Sequence, residues 1–294
     1  ILQQERALTR IKSNLVKKIL DTLQEKLSKE REAYTGFFKE LGAILKEGLA
    51  LDHENKQKIA DLLLFESSAT KPGEYTTLKE YLSRMPASQE AVWYITGENR
   101  RELEDSPYLE QLKEKKYEVL FLTESIDEFI TQHLTEYNEK KLKSVTKGDF
   151  DLSDNKEESK KALEEKEKEF KDLEAFIKQD LEEQLKEVRL STRLLSSPAC
   201  LVADEYAMSA SMERLMRAMH QEVPPAKRIL EINPEHGLIR KLKELLQQGK
   251  KDQARELVVL LYNQAVIAEG GRVTNPGDYS ARLTRILEAH AATL

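Results

Sequence analysis

The 294-residue chain has one cysteine, Cys200, and so can close no disulfide within itself. A reducing, cytoplasmic setting is the simpler expectation. Aromatic residues are only 6% of the chain against 34% charged, the balance of a soluble, helix-rich protein with long solvated faces. No apolar run approaches the ~20 residues that a helix needs to cross a bilayer, so no membrane role is expected. Basic residues are not in excess. The net charge of −6 argues against nucleic acid as a main partner, because phosphate binding takes clustered Lys and Arg. Ile1 is neither an initiator Met nor the start of a signal peptide, and the expectation is a chain that begins in mid-pattern.

Catalytic signatures are lacking too. There is no Gly-x-x-x-x-Gly-Lys-Ser/Thr phosphate loop and no Gly-x-Ser-x-Gly elbow. His53, His133, His220, His236 and His290 stand apart, and none pairs with another at i, i+4, so no metal site is expected. Asp127 and Glu128 are adjacent and point in different directions on a helix, which suits capping and surface charge better than acid/base work. Cys200 sits in an apolar run after Pro198 and reads as a buried, inert thiol. The chain is not expected to be an enzyme.

What is present is periodicity. Leu8, Ile11, Leu15, Ile19, Leu23 and Leu27 step by three and four along one face of a long helix. Phe37, Phe38, Leu41, Ile44 and Leu45 mark a second helix ending near Gly48, and residues 58–64 a third. From residue 69 the period changes. Runs at 91–96, 118–123 and 142–146 read as strands, with helices at 107–115 and 126–137 between them, the alternation of a small parallel α/β unit. Residues 148–169 are dominated by Asp, Glu and Lys and mark a boundary. Beyond it come a long helix through Leu163, Phe170, Leu173 and Ile177, short strands at 188–190 and 200–202, and three closing helical stripes. The fold class is α+β, mostly helical. The division is 1–147 (a helical part to 68, then the α/β/α unit) and 148–294.

Two apolar faces invite partners. Met208, Met212, Leu215, Met216 and Met219 share one side of a helix, and flexible Met side chains suit surfaces that accept many partners. A core-filling stripe reads equally well. In the last two helices, Leu257, Leu260, Leu261 and Val266 face Tyr279, Leu283, Ile286 and Leu287 across a Gly-Gly and Pro-Gly connection. That is more apolar surface than a two-helix hairpin hides alone. An isologous four-helix bundle with a second copy would bury it, as would packing on its own domain.

Five segments occur in fixed order: Val92-Trp93-Tyr94-Ile95-Thr96-Gly97, Ser125-Ile126-Asp127-Glu128-Phe129, Ser144-Val145-Thr146-Lys147, Arg193-Leu194-Leu195-Ser196-Ser197-Pro198-Ala199 and Leu230-Glu231-Ile232-Asn233-Pro234-Glu235-His236. On these the chain resembles the 90-kDa heat-shock protein chaperone family in its bacterial, HtpG-like form. The resemblance implies the end of the middle domain followed by the C-terminal dimerisation domain of an ATP-driven, stress-response folding machine. The ATP-binding domain, with its Mg, is absent from this chain, which therefore needs no cofactor of its own. Gln3 matches a loop Gln that reaches the nucleotide in the family, and is inactive here. The family's client-binding positions fall on Glu128, Phe129, Gln132, Met208, Met212, Leu215 and Met216. Bacterial members often carry Trp where this chain has Phe129 and Asn where it has Gln132. The dimer interface falls on Leu257, Leu261, Tyr279, Leu283, Ile286 and Leu287. The implied partners are non-native client proteins and a second copy; the alternative is a structural dimerisation scaffold without a client site.

Overall fold

The structure, a computed structural model, describes residues 2–153, 156–224 and 226–292. It begins with a helical pair. Helix α1 (Leu2–Lys29) is followed after the single residue Glu30 by α2 (Arg31–Leu51), and α3 (Lys56–Leu62) packs on both. The long first helix is present as its period predicts, but the face it buries differs. Leu20, Leu23 and Leu27 enter the core with Val16 beside them, whereas Leu8, Ile11, Leu15 and Ile19 stay 55–65% exposed. The two rows lie one position apart, about 100° around the helix. Spacing alone merged them. On α2, Gly42 lets the Phe38 ring lie against the backbone, where an added Cβ would fall 2.9 Å from it. Tyr34 is fully buried and donates its hydroxyl to the Leu62 carbonyl at 2.6 Å, which joins α2 to α3.

A mixed sheet follows. Its strands are β1 (Glu66–Ser67), β2 (Ala91–Thr96), β3 (Val119–Leu122), β4 (Glu136–Tyr137) and β5 (Lys140–Ser144), in the order β1-β3-β2-β5-β4. Helix α4 (Leu78–Arg84) starts from a capping box in which Thr77 and Glu80 satisfy each other's backbone N–H groups. Strands β2 and β3 pair in parallel from Trp93↔Val119 to Thr96↔Leu122 and are buried along their length, as continuous apolar runs require. The unit is not a purely parallel one, however, because β1 on β3 and β4 on β5 are antiparallel. The expected helix over 126–137 is shorter, α7 (Asp127–His133), and the chain turns back as β4. The crossover between β2 and β3 carries α5 (Arg100–Glu104), a 3-10 turn at Pro107–Leu109 and α6 (Glu110–Glu114).

The long charged helix α8 (Lys156–Asp180) leads into a second, three-stranded sheet of β6 (Leu185–Leu190), β7 (Ala199–Val202) and β8 (Arg228–Ile232), ordered β6-β8-β7. Between β7 and β8 stands α9 (Ala210–Ala218). Helices α10 (Gly237–Gln247), α11 (Lys251–Ala268) and α12 (Pro276–Ala291) complete the chain. Strand β8 is the centre of this sheet and escapes a pattern search. All five of its residues are buried, Arg228 and Glu231 among them, so polar and apolar positions do not alternate.

The contacts define two compact units. One comprises the residues up to Arg100 with Tyr117–Lys143, the other Arg101–Lys116 with those from Ser144 onward. The first core gathers around Tyr34, Leu63, Leu78 and Leu120, the second around Ile177, Leu185, Leu230 and Leu242. Glu110 explains why its segment belongs to the second unit. Its carboxylate accepts from the backbone N–H groups of Leu195 and Ser196 at 2.5 and 2.7 Å and from the Ser197 hydroxyl at 2.5 Å, cradling the loop before Pro198.

Candidate functional site

Helix α9 begins at Ser209, whose hydroxyl accepts from Met212 N at 3.0 Å. It stops where His220 takes a left-handed φ of 59° and Gln221 N closes on the Met216 carbonyl at 3.0 Å. The Met row that shares this helix does not share one environment. Met212 is buried at 6% exposure, Met208, Leu215 and Met216 are half-buried, and Met219 is 54% exposed. The face is thus split along its length, anchored at its start and open at its end.

Below the helix lies a charged layer. Glu213 is buried and pairs with Arg228 at 2.8 Å. Arg228 also donates to the Glu269 carboxylate at 3.2 Å and to the Met208 carbonyl at 3.3 Å. Burial pushes the Glu269 carboxyl up to about 7; Arg228 and Arg214 pull it down, and Glu213 adds to the rise. A carboxyl raised from 4.5 in the unfolded chain holds its proton more tightly when folded. Its contribution to stability is complete below pH 4.5 and is lost as pH rises through about 7. Stability should therefore fall from about pH 5 to about pH 8 by on the order of 2–3 kcal/mol more in the wild type than in Glu269→Gln. Urea midpoints across that range read the difference. Glu174, raised to about 7 by burial and by Glu167 and Glu187, slopes both curves the same way and cancels.

In the first unit, the candidate residues sit on α7. Glu128 is buried at 8%, Phe129 is half-buried and Gln132 is exposed. The expectation of surface charge at Asp127-Glu128 is corrected here. Asp127 is buried against Lys46, itself 2% exposed, at 2.7 Å, and its second oxygen accepts from Glu124 N at 3.0 Å. Burial raises the Asp127 carboxyl, and Lys46 opposes the rise. The pair ties α7 to α2. Gln3 falls in the first turn of α1, and its side chain lies outside the described residues.

The candidate interface residues divide. Leu261 is 1% exposed and Leu257 half-buried, both packed into the second core, so Leu261 has no surface to offer a partner. Helix α12 buries none of its residues. Tyr279, Leu283 and Ile286 are half-exposed and Leu287 is 59% exposed. It is held to α11 by charge instead, through Arg285 on Glu256 at 2.7 Å, and is braced internally by Arg282 on Asp278 at 2.7 Å. Among the described residues no group of three or more His, Cys, Asp or Glu is arranged to hold a metal ion, and no helix is long and apolar enough to cross a membrane. The Cys200 thiol is fully buried, and burial pushes it well above its ordinary value, so it is no nucleophile.

The densest polar centre went unread in the sequence, although both its key residues lie in the ordered segments. Glu231, on β8, accepts from Arg193 Nε at 2.7 Å, Arg189 Nη2 at 2.8 Å and the Ser191 hydroxyl at 2.9 Å. Arg193 is wholly buried, donates to the carbonyls of Val145 and Gly148, and stacks over Phe150 at 4.9 Å. Burial raises the Glu231 carboxyl, but the two guanidiniums outweigh it and hold the group below its ordinary value. The burial of Glu231 and Arg193 marks its centre as structural, while Arg189 reaches out to the exposed Asp149 at 2.8 Å. They fix the 144–148 segment, the 191–198 loop and β8 together.

A family model described as Hsp90 protein matches residues 1–293. Curated relatives similar to the chain include proteins named Chaperone protein HtpG from Geobacter metallireducens, 46% identical over 290 residues, from Magnetococcus marinus, 44% over 298, and from Mycobacterium avium, 41% over 292. Each alignment covers 98% of this chain but only 44–45% of the relative. The chain spans less than half the length of the relatives it matches.

Proposed function

The chain belongs to the Hsp90 protein family, and on that premise we propose that it is the client-binding, dimerising half of an ATP-driven chaperone. In this reading residues 1–147 are the end of the middle domain and 148–294 the dimerisation domain. ATP and Mg belong to the part of the protein that lies outside this chain, so the chain by itself neither binds nor hydrolyses nucleotide. A cytoplasmic location suits the buried, unpaired Cys200. The clients are non-native proteins, whose exposed apolar segments meet the open end of α9.

The observation that carries this reading is the split Met row. A helix anchored by Met212 at 6% exposure presents Met216 and then Met219, at 54%, to solvent beside a Pro-rich exit. Flexible thioethers conform to many apolar partners. The burial of Met212 favours the second reading, a dimerisation scaffold whose Met face is core, and the two readings separate cleanly. Met216→Ser with Met219→Ser should weaken suppression of client aggregation about tenfold, since each thioether that no longer covers a client's apolar surface forfeits on the order of 1 kcal/mol or more. The melting temperature should stay within a few degrees. Unchanged suppression by the double variant would favour the scaffold.

A further inference from the structure

Among the described residues, α9 makes no extensive packing contact with any helix or strand. It is nine residues long, and Met212, the Ser209 cap and the charged layer beneath help to hold it. That layer reaches two places at once. Arg228, 6% exposed at the head of β8, sets Nη2 2.8 Å from Glu213 of α9 and donates Nε–H to Glu269, the residue that ends α11. Arg214, also of α9, donates to the Glu269 carbonyl at 3.2 Å. The turn that follows is built around it. Gly270 has φ 79°, and an added Cβ there would lie 3.2 Å from the Arg214 guanidinium. Gly271 N closes on the Val266 carbonyl at 2.8 Å and seals the end of α11. The planar fork of Arg228 meets two carboxyl groups in a nearly dry layer.

We propose that Arg228 is the pin of an ionic latch that ties the Met-rich helix α9 to the turn between α11 and α12, coupling the client face to the hairpin that dimerises. The coupling rests on the function proposed above; the latch itself does not. It is a discrete element because either end can be released without unfolding β8. A client that pulls α9, carrying Glu213 and Arg214, away from Arg228 and Glu269 frees the Gly270-Gly271 turn and leaves the surface pairs of Glu256 to hold the tilt of α12 against α11.

Hydrogen exchange of the whole chain tests the latch, with Arg228→Gln and, as a variant on a less buried side chain, Arg214→Ala. Both should raise exchange of the amides in 210–219 and in 269–275 together, about tenfold, while those of β6, β7 and α10 keep wild-type protection. Exchange raised in only one of the two segments, or raised equally throughout the second unit, would overturn the proposal. Subunit exchange between labelled copies adds the coupling. Adding a non-native client should change the wild-type rate at least about threefold and leave the Arg228→Gln rate unmoved. An equal client effect in both proteins would refute the coupling. A chain with no subunits to exchange would instead refute the proposed dimer, and leave the amide result standing.

Discussion

Glu231→Gln should destabilise the second unit by about 3–5 kcal/mol, the usual consequence of removing one partner from a buried ion pair. The substitution keeps the shape of the side chain and removes only its charge. Arg193, at 0% exposure, then keeps a full positive charge in the interior with neutral partners alone, the carbonyls of Val145 and Gly148, the amide at position 231 and the Phe150 ring, and Arg189 loses its inner carboxylate. The Ser191 hydroxyl, which donates to Glu231 and accepts from the backbone of Arg193 and Leu194, loses a charged acceptor. Urea unfolding followed by far-UV circular dichroism should show the midpoint falling. Pairing Arg193→Met with Glu231→Leu should recover part of the loss, because both charges leave together. A midpoint that Glu231→Gln does not move would show that this cluster does not hold the unit together.

Asp placed at Leu283 and Ile286 together should convert a dimer to a monomer. Neither residue is buried in the single chain, so α12 should keep its helicity and its Glu256 pairs. In an α12-mediated interface the same two positions are desolvated, and an unpaired carboxylate there costs several kcal/mol. Since every ~1.4 kcal/mol is tenfold in affinity, a micromolar or nanomolar dimer falls apart at working concentrations. Light scattering should report about half the wild-type mass with the circular dichroism unchanged. A double variant that keeps the wild-type dimer mass would move the interface away from this helix.

The helices were legible because their apolar rows step at the helical period, and α10, α11 and α12 lie where those rows put them. Which row turns inward was not legible. On α1 the buried row Val16, Leu20, Leu23 and Leu27 and the exposed row ending at Ile19 differ by a single position, and only the packing of α2 and α3 chooses between them. The same holds for the Met row, where one period spans a buried Met212 and an exposed Met219. Strand β8 was hidden by its own charges. Arg228 and Glu231 interrupt the apolar run because they are the inner halves of ion pairs, whose partners Glu213, Glu269, Arg189 and Arg193 come from distant segments. No spacing rule links such residues. Asp127 was misread for the same reason, because Lys46 stands on another helix. Collinear segments made the family readable where local pattern was silent.

That this chain is the dimerising half of its protein is most directly tested by its mass in solution. Sedimentation equilibrium over a dilution series should give about twice 33.9 kDa at micromolar concentration, dissociating only on strong dilution. A chain that sediments at 33.9 kDa at every concentration would contradict the account.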